Sequence, residues 1–85
     1  MYKIILLEKA IKVLSKLPQK EADKIASRID SLQENPYPQG CKKLQGYEEV
    51  YRIRQGNYRI LYEVHDDQLI IRVIKIGNRK DIYRK

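Results

Sequence analysis

Arginines are the residues with the clearest chemical potential in the second half of this chain. Arg52, Arg54 and Arg59 lie in segments where polar and apolar residues alternate. Successive side chains of a strand point to opposite faces, so this alternation predicts three arginines together on one exposed sheet face. Guanidinium groups stay protonated and match phosphate oxygens geometrically, so such a cluster suits a polyanion. The alternative is a solvated basic surface without a particular partner.

The charge of the 85-residue chain agrees with this prediction. The formal net charge is +7, and residues 41–85 carry eleven Lys and Arg against six Asp and Glu. An excess of this sign favours nucleic acid, an acidic protein or an anionic membrane as partner. Cys41 and His65 are the only residues of their kinds. We therefore expect no disulfide within the chain, no metal site and no cofactor.

An α+β arrangement would position the arginines. Residues 2–7 form a short apolar run typical of a buried strand, and apolar spacing of three and four predicts helices over residues 7–17 and 19–33, separated by Pro18. From Val50 onward the period changes to two. Three antiparallel strands are expected, linked by turns at residues 55–57 and 65–67, the second of which would leave His65 exposed. We predict one domain over residues 1–85, a small sheet with the helical hairpin on one face.

The N-terminal segment does not have the pattern of a signal peptide. Its apolar run is short, and Glu8 follows it directly. No stretch approaches the length of a transmembrane helix. These features predict a cytoplasmic protein without a membrane partner.

Three segments together resemble the RelE/ParE toxin superfamily. They are residues 35–46 (NPYPQGCKKLQG), 51–63 (YRIRQGNYRILYE) and 76–83 (IGNRKDIY). The order of elements agrees along essentially the whole chain. The resemblance implies a toxin of a type II toxin–antitoxin system, a cognate RelB-like antitoxin as partner, and metal-independent endoribonuclease activity on mRNA in the ribosome. An antitoxin could wrap the amphipathic helices and the open sheet face.

The resemblance also implies roles for individual residues. Arg59 corresponds to the arginine that contacts the scissile phosphate, and Arg79 to the one that supports the leaving group. Tyr83 corresponds to a C-terminal tyrosine that stacks on a base or assists proton transfer. Arg52 and Arg54 correspond to basic RNA-binding positions. Lysine occupies those two positions in well-known relatives, whereas arginine stays protonated, so charge stabilisation is favoured over base catalysis.

Lys42 and Lys43 are further RNA-binding candidates in the connector before the sheet, with a solvated basic loop as the alternative. Two other functions remain open from the sequence. One is a ParE-like inhibitor of DNA gyrase that performs no chemistry, and the other is a bare nucleic-acid-binding module.

Overall fold

A computed structural model describes residues 1–78 of the chain. The elements in chain order are β1 (Lys3–Leu6), α1 (Glu8–Lys16), α2 (Gln19–Ser31), β2 (Lys42–Lys43), β3 (Val50–Gln55), β4 (Tyr58–His65) and β5 (Ile70–Asn78). The predicted α+β class, the N-terminal strand, the helical hairpin and the final three strands are all confirmed. Neither helix within residues 1–78 is long and apolar enough to cross a membrane.

The five strands form one mixed sheet in the order β1-β5-β4-β3-β2. Strands β3, β4 and β5 are the antiparallel meander that the sequence predicts. Strand β1 lies parallel to β5, with Ile4 beside Ile71. Strand β2 is an addition to the prediction, because Lys42 and Lys43 were assigned to the connector before the sheet and instead pair with the edge of β3.

The helices cover one face of this sheet through a narrow apolar stripe. Ala10 of α1 is fully buried, as are Ile25 and Ile29 of α2. Pro18 stands immediately before α2, and its carbonyl oxygen accepts a hydrogen bond from the Ala22 amide at 3.0 Å. Proline lacks an amide hydrogen and is tolerated only where a helix begins, so it separates the two helices here.

The core lies between these helices and the inner face of the sheet. Its sheet side is formed by residues of alternating parity in β3, β4 and β5, namely Ile53, Ile60, Tyr62, Val64, Ile71, Val73 and Ile76. Each is at most 2% exposed. Packing of this kind leaves the intervening residues of the same strands on the opposite face.

A bulge interrupts the pairing of β4 with β5. Leu61 pairs with Lys75, whereas the next residue, Tyr62, pairs with Val73, so the register skips Ile74. An extra residue on one strand reverses the facing of all residues beyond it. Val73 and Ile76 can both face the core for this reason, although they are three residues apart.

Tyrosine hydroxyls attach the connector between α2 and β2 to the sheet. The buried Tyr62 hydroxyl donates a hydrogen bond to the Pro36 carbonyl oxygen at 2.7 Å. The hydroxyls of Tyr2 and Tyr37 both donate to the Asp66 carboxylate. These hydrogen bonds lower the pKa of Asp66, while burial and the bond to Asp66 raise the pKa of Tyr37.

Candidate nucleic-acid interface

A group of basic residues on the sheet face opposite the helices forms what we call the cationic face: Lys42, Arg52, Arg54, Arg59 and Lys75. The strand register arranges them in two adjacent rows. The first row crosses the sheet from β2 to β5: Lys42 pairs with Arg52, Arg52 with Leu61, and Leu61 with Lys75. Arg54 pairs with Arg59, and Arg59 pairs in turn with Gly77. The predicted clustering of three arginines on one sheet face is therefore confirmed.

The exposure of these arginines differs from the prediction. Arg54 is exposed and Arg52 half-buried, but Arg59 is only 5% exposed. The expectation that Arg59 is an ordinary surface residue is wrong. The physical reason is its position, because Arg59 lies in β4 at the centre of the sheet, with β3 on one side and β5 on the other. A charge buried in this way interacts more strongly with a neighbouring charge than one in water does.

Lys42 and Lys43, which the sequence treats as equivalent, are separated by their strand. Lys42 pairs with Arg52 and belongs to the cationic face. Lys43 pairs with Tyr51, whose ring lies on the helix-bearing face and packs edge-on against Tyr37 with 5.0 Å between ring centroids. The structure thus brings Lys42 together with the arginines and does not bring Lys43 there.

Lys75 is the member of the cationic face that sequence reasoning missed. Strict alternation from Val73 would assign Lys75 to the core side of β5. The bulge at Ile74 reverses that assignment and places Lys75 beside Leu61 on the cationic face. The sequence does carry a signal of the bulge. Val73 and Ile76 are both apolar and both buried, yet they are three positions apart, and a regular strand places such residues on opposite faces.

An acidic cluster borders the cationic face at the far end of β4. Glu63 Oε1 lies 2.9 Å from His65 Nε2 and 3.5 Å from Arg72 Nη1. His65 Nδ1 lies 3.4 Å from Glu49 Oε2. The prediction of an exposed turn histidine is wrong, because His65 is the last residue of β4 and its side chain is 27% exposed. Both ring nitrogens face carboxylates, an arrangement that suits a structural contact rather than contact with substrate.

Two of the predicted site residues, Arg79 and Tyr83, lie outside the described residues. The last described residue, Asn78, ends β5 directly beside Tyr58 of β4. Within residues 1–78, no group of three His, Cys, Asp or Glu side chains is placed to hold a metal ion. The chemistry that the described face can supply is therefore positive charge, concentrated around Arg59.

Comparison with known proteins gives a consistent classification. Residues 4–83 match the model of a family described as the ParE toxin of the type II toxin–antitoxin system parDE. The chain is 35% identical over 85 residues to toxin RelE3 of Methanocaldococcus jannaschii, covering 95% of this chain and 94% of that protein. It is 29% identical over 75 residues to the mRNA interferase toxin RelE of Escherichia coli K12, covering 86% and 78% of the two chains.

A solved structure shows the same architecture. The chain superimposes on the crystal structure of the archaeal RelE–RelB complex from Pyrococcus horikoshii with a TM-score of 0.83 and 27% identity, covering 94% of this chain and 97% of that one. This chain therefore has the small α+β fold of a RelE toxin. The chain belongs to the RelE/ParE superfamily of toxins of type II toxin–antitoxin systems.

Proposed function

We propose that this chain is a ribosome-dependent endoribonuclease that cleaves mRNA without a metal ion. The observation that carries the proposal is the row of Arg54 and Arg59 beside the row of Arg52 and Lys42 on one sheet face. RNA cleavage develops negative charge on a phosphorane, and fixed guanidinium groups stabilise that charge. The name of the E. coli relative, an mRNA interferase toxin, supports the same activity.

The proposed reaction uses a nucleophile that the substrate itself provides. The 2′-hydroxyl of a ribose loses its proton to water, and its oxygen attacks the adjacent phosphorus. The bond from phosphorus to the 5′ oxygen breaks, and that oxygen takes up a proton from water or from a side chain. The products are a 2′,3′-cyclic phosphate and a 5′-hydroxyl end. In this reaction Arg59 contacts the scissile phosphate, Arg79 supports the leaving oxygen, and Tyr83 stacks on a base or assists proton transfer.

Arg59 is well suited to charge stabilisation. Its burial removes water from around the guanidinium, so less solvent screens its interaction with a phosphate oxygen. Arg52, Arg54 and Lys42 are proposed to hold the RNA backbone on either side of the scissile phosphate. Lys43 lies on the opposite face, and any contact that it makes with RNA would involve a different surface.

The proposed partner of the toxin is a RelB-like antitoxin. The P. horikoshii relative was crystallised as a RelE–RelB complex, and its fold superimposes on nearly the whole of this chain. A location in the cytoplasm follows from the proposal, because ribosomes and mRNA are there. Expression of this chain alone should arrest growth, and co-expression of the antitoxin should relieve the arrest.

The second candidate is a ParE-like inhibitor of DNA gyrase, which the match to the ParE family favours. Two assays run in parallel distinguish the candidates. Primer extension on mRNA in programmed ribosomes detects cleavage, and a supercoiling assay detects gyrase inhibition. Cleaved mRNA with active gyrase supports the endoribonuclease, whereas intact mRNA with blocked gyrase replaces it with the inhibitor.

A further inference from the structure

Lys75 occupies a place on the cationic face that only the β5 bulge creates. It pairs with Leu61, which pairs with Arg52, which pairs with Lys42. Neighbouring strands are about 4.8 Å apart, so the three basic residues span about 14 Å across the sheet. The row has cationic groups at both ends and a buried apolar residue between Arg52 and Lys75.

The charge of Lys75 is not neutralised within the described part of the chain. No carboxylate of residues 1–78 lies within ion-pair distance of its ammonium group. The neighbouring basic residue of β5, Arg72, behaves differently, because its guanidinium lies 3.5 Å from Glu63. The bulge thus places on the cationic face a positive charge that no carboxylate of residues 1–78 pairs with, two residues from Gly77, the partner of Arg59.

We propose that Lys75 forms a phosphate subsite for the RNA backbone, together with Arg52 and on the β5 side of Arg59. The inference rests on the proposed function and names a further substrate contact of the same face. Bulges commonly redirect a side chain toward a functional site, and one lysine contributes one phosphate contact. Lys75 is a binding residue here, whereas Arg59 acts at the scissile phosphate.

The salt dependence of RNA binding measures such a contact directly. Each phosphate contact to a single strand adds about 0.7 to the slope of log affinity against log salt concentration. The ligand is a short 2′-O-methyl RNA, which cannot be cut because the nucleophile is blocked. Fluorescence anisotropy of the full chain between about 50 and 200 mM salt gives the slope.

Lys75→Gln should reduce this slope by about 0.7, and Lys75→Arg should retain it. The matched control is Lys20→Gln, which removes the same charge from an exposed position of α2 and should leave the slope unchanged. Circular dichroism and urea unfolding verify that each variant is folded. An unchanged slope for Lys75→Gln, or an equal reduction for Lys20→Gln, overturns the inference.

Two further measurements distinguish a failure of the proposed function from a failure of the Lys75 proposal. Wild-type protein that binds the RNA with the expected slope but leaves mRNA intact on ribosomes refutes the proposed function and leaves the phosphate subsite standing. In the second measurement, the binding of a glutamate-rich peptide is titrated separately from that of the RNA. If Lys75→Gln weakens only the binding of the peptide, the subsite belongs to an acidic protein partner and the inference is wrong.

Discussion

Replacement of Arg59 tests whether its burial and its charge have separate consequences. Arg59→Ala and Arg59→Met both remove the guanidinium, but only methionine retains a long apolar side chain. The loss of the charge is common to both variants, so the difference between their free energies of unfolding measures the packing of the side-chain stem. Arg54, its exposed neighbour in the same row, provides the control.

The magnitude follows from the 5% exposure of Arg59. Alanine removes two buried methylene groups, which contribute about 0.8 kcal/mol each, and leaves a cavity that adds to the loss. We expect Arg59→Ala to be about 2 kcal/mol less stable than Arg59→Met, a difference of about 10 °C in Tm for a domain of this size. Arg54→Ala should change stability by no more than about 0.5 kcal/mol.

Urea unfolding followed by circular dichroism measures these differences, provided that the denaturant slope is the same for all variants. Cleavage is then compared in programmed ribosomes. Arg59→Met should remain folded and lose on the order of 100- to 1000-fold in cleavage rate, because a charge-stabilising group has been removed. Equal stability of Arg59→Ala and Arg59→Met would refute the packing argument. Cleavage by Arg59→Met at the wild-type rate would refute the catalytic assignment.

Three further outcomes are expected. Hydrogen bonds from Tyr2 and Tyr37 lower the pKa of Asp66, because they favour its ionised form. These bonds therefore stabilise the folded state above about pH 4, and that stabilisation is lost as the pH falls below the ordinary aspartate value. The free energy of unfolding, measured by urea at several pH values, should fall in acid for the wild type and fall less for Asp66→Asn. The same fall in both proteins would contradict the assignment. Arg79→Ala should lower cleavage by on the order of 100-fold or more, and Tyr83→Phe should retain activity if only the ring acts and lose it if the hydroxyl transfers a proton. Cleavage should persist in excess EDTA with ribosomes verified intact, and its loss on chelation would exclude the metal-free reaction.

Local patterns in the sequence determine the elements and which residues of β3 share a sheet face. The helical spacing of Ala10, Ile25 and Ile29 predicts buried stripes, and these residues are buried. The alternation of Arg52 and Arg54 with Ile53 predicts a basic face opposite the core, and the structure has one. Such patterns succeed because the periodicity of a helix or strand is a property of the local backbone.

Tertiary structure decides the features that depend on contacts between distant segments. The parallel pairing of β1 with β5 joins residues more than sixty positions apart, and β2 forms only because β3 offers an unpaired edge. The hydrogen bonds that Tyr2 and Tyr37 donate to Asp66 also join segments far apart in the chain. No local spacing in the sequence encodes these contacts.

The same distinction applies to the site. Alternation alone identifies which arginines share a face, but the burial of Arg59 depends on strands β3 and β5 on either side of it. Lys42 and Lys43 are separated only by the pairing of β2, and Lys75 reaches the cationic face only through the bulge at Ile74. Parity counted along the chain fails at that point, because one unpaired residue reverses the facing of the strand beyond it.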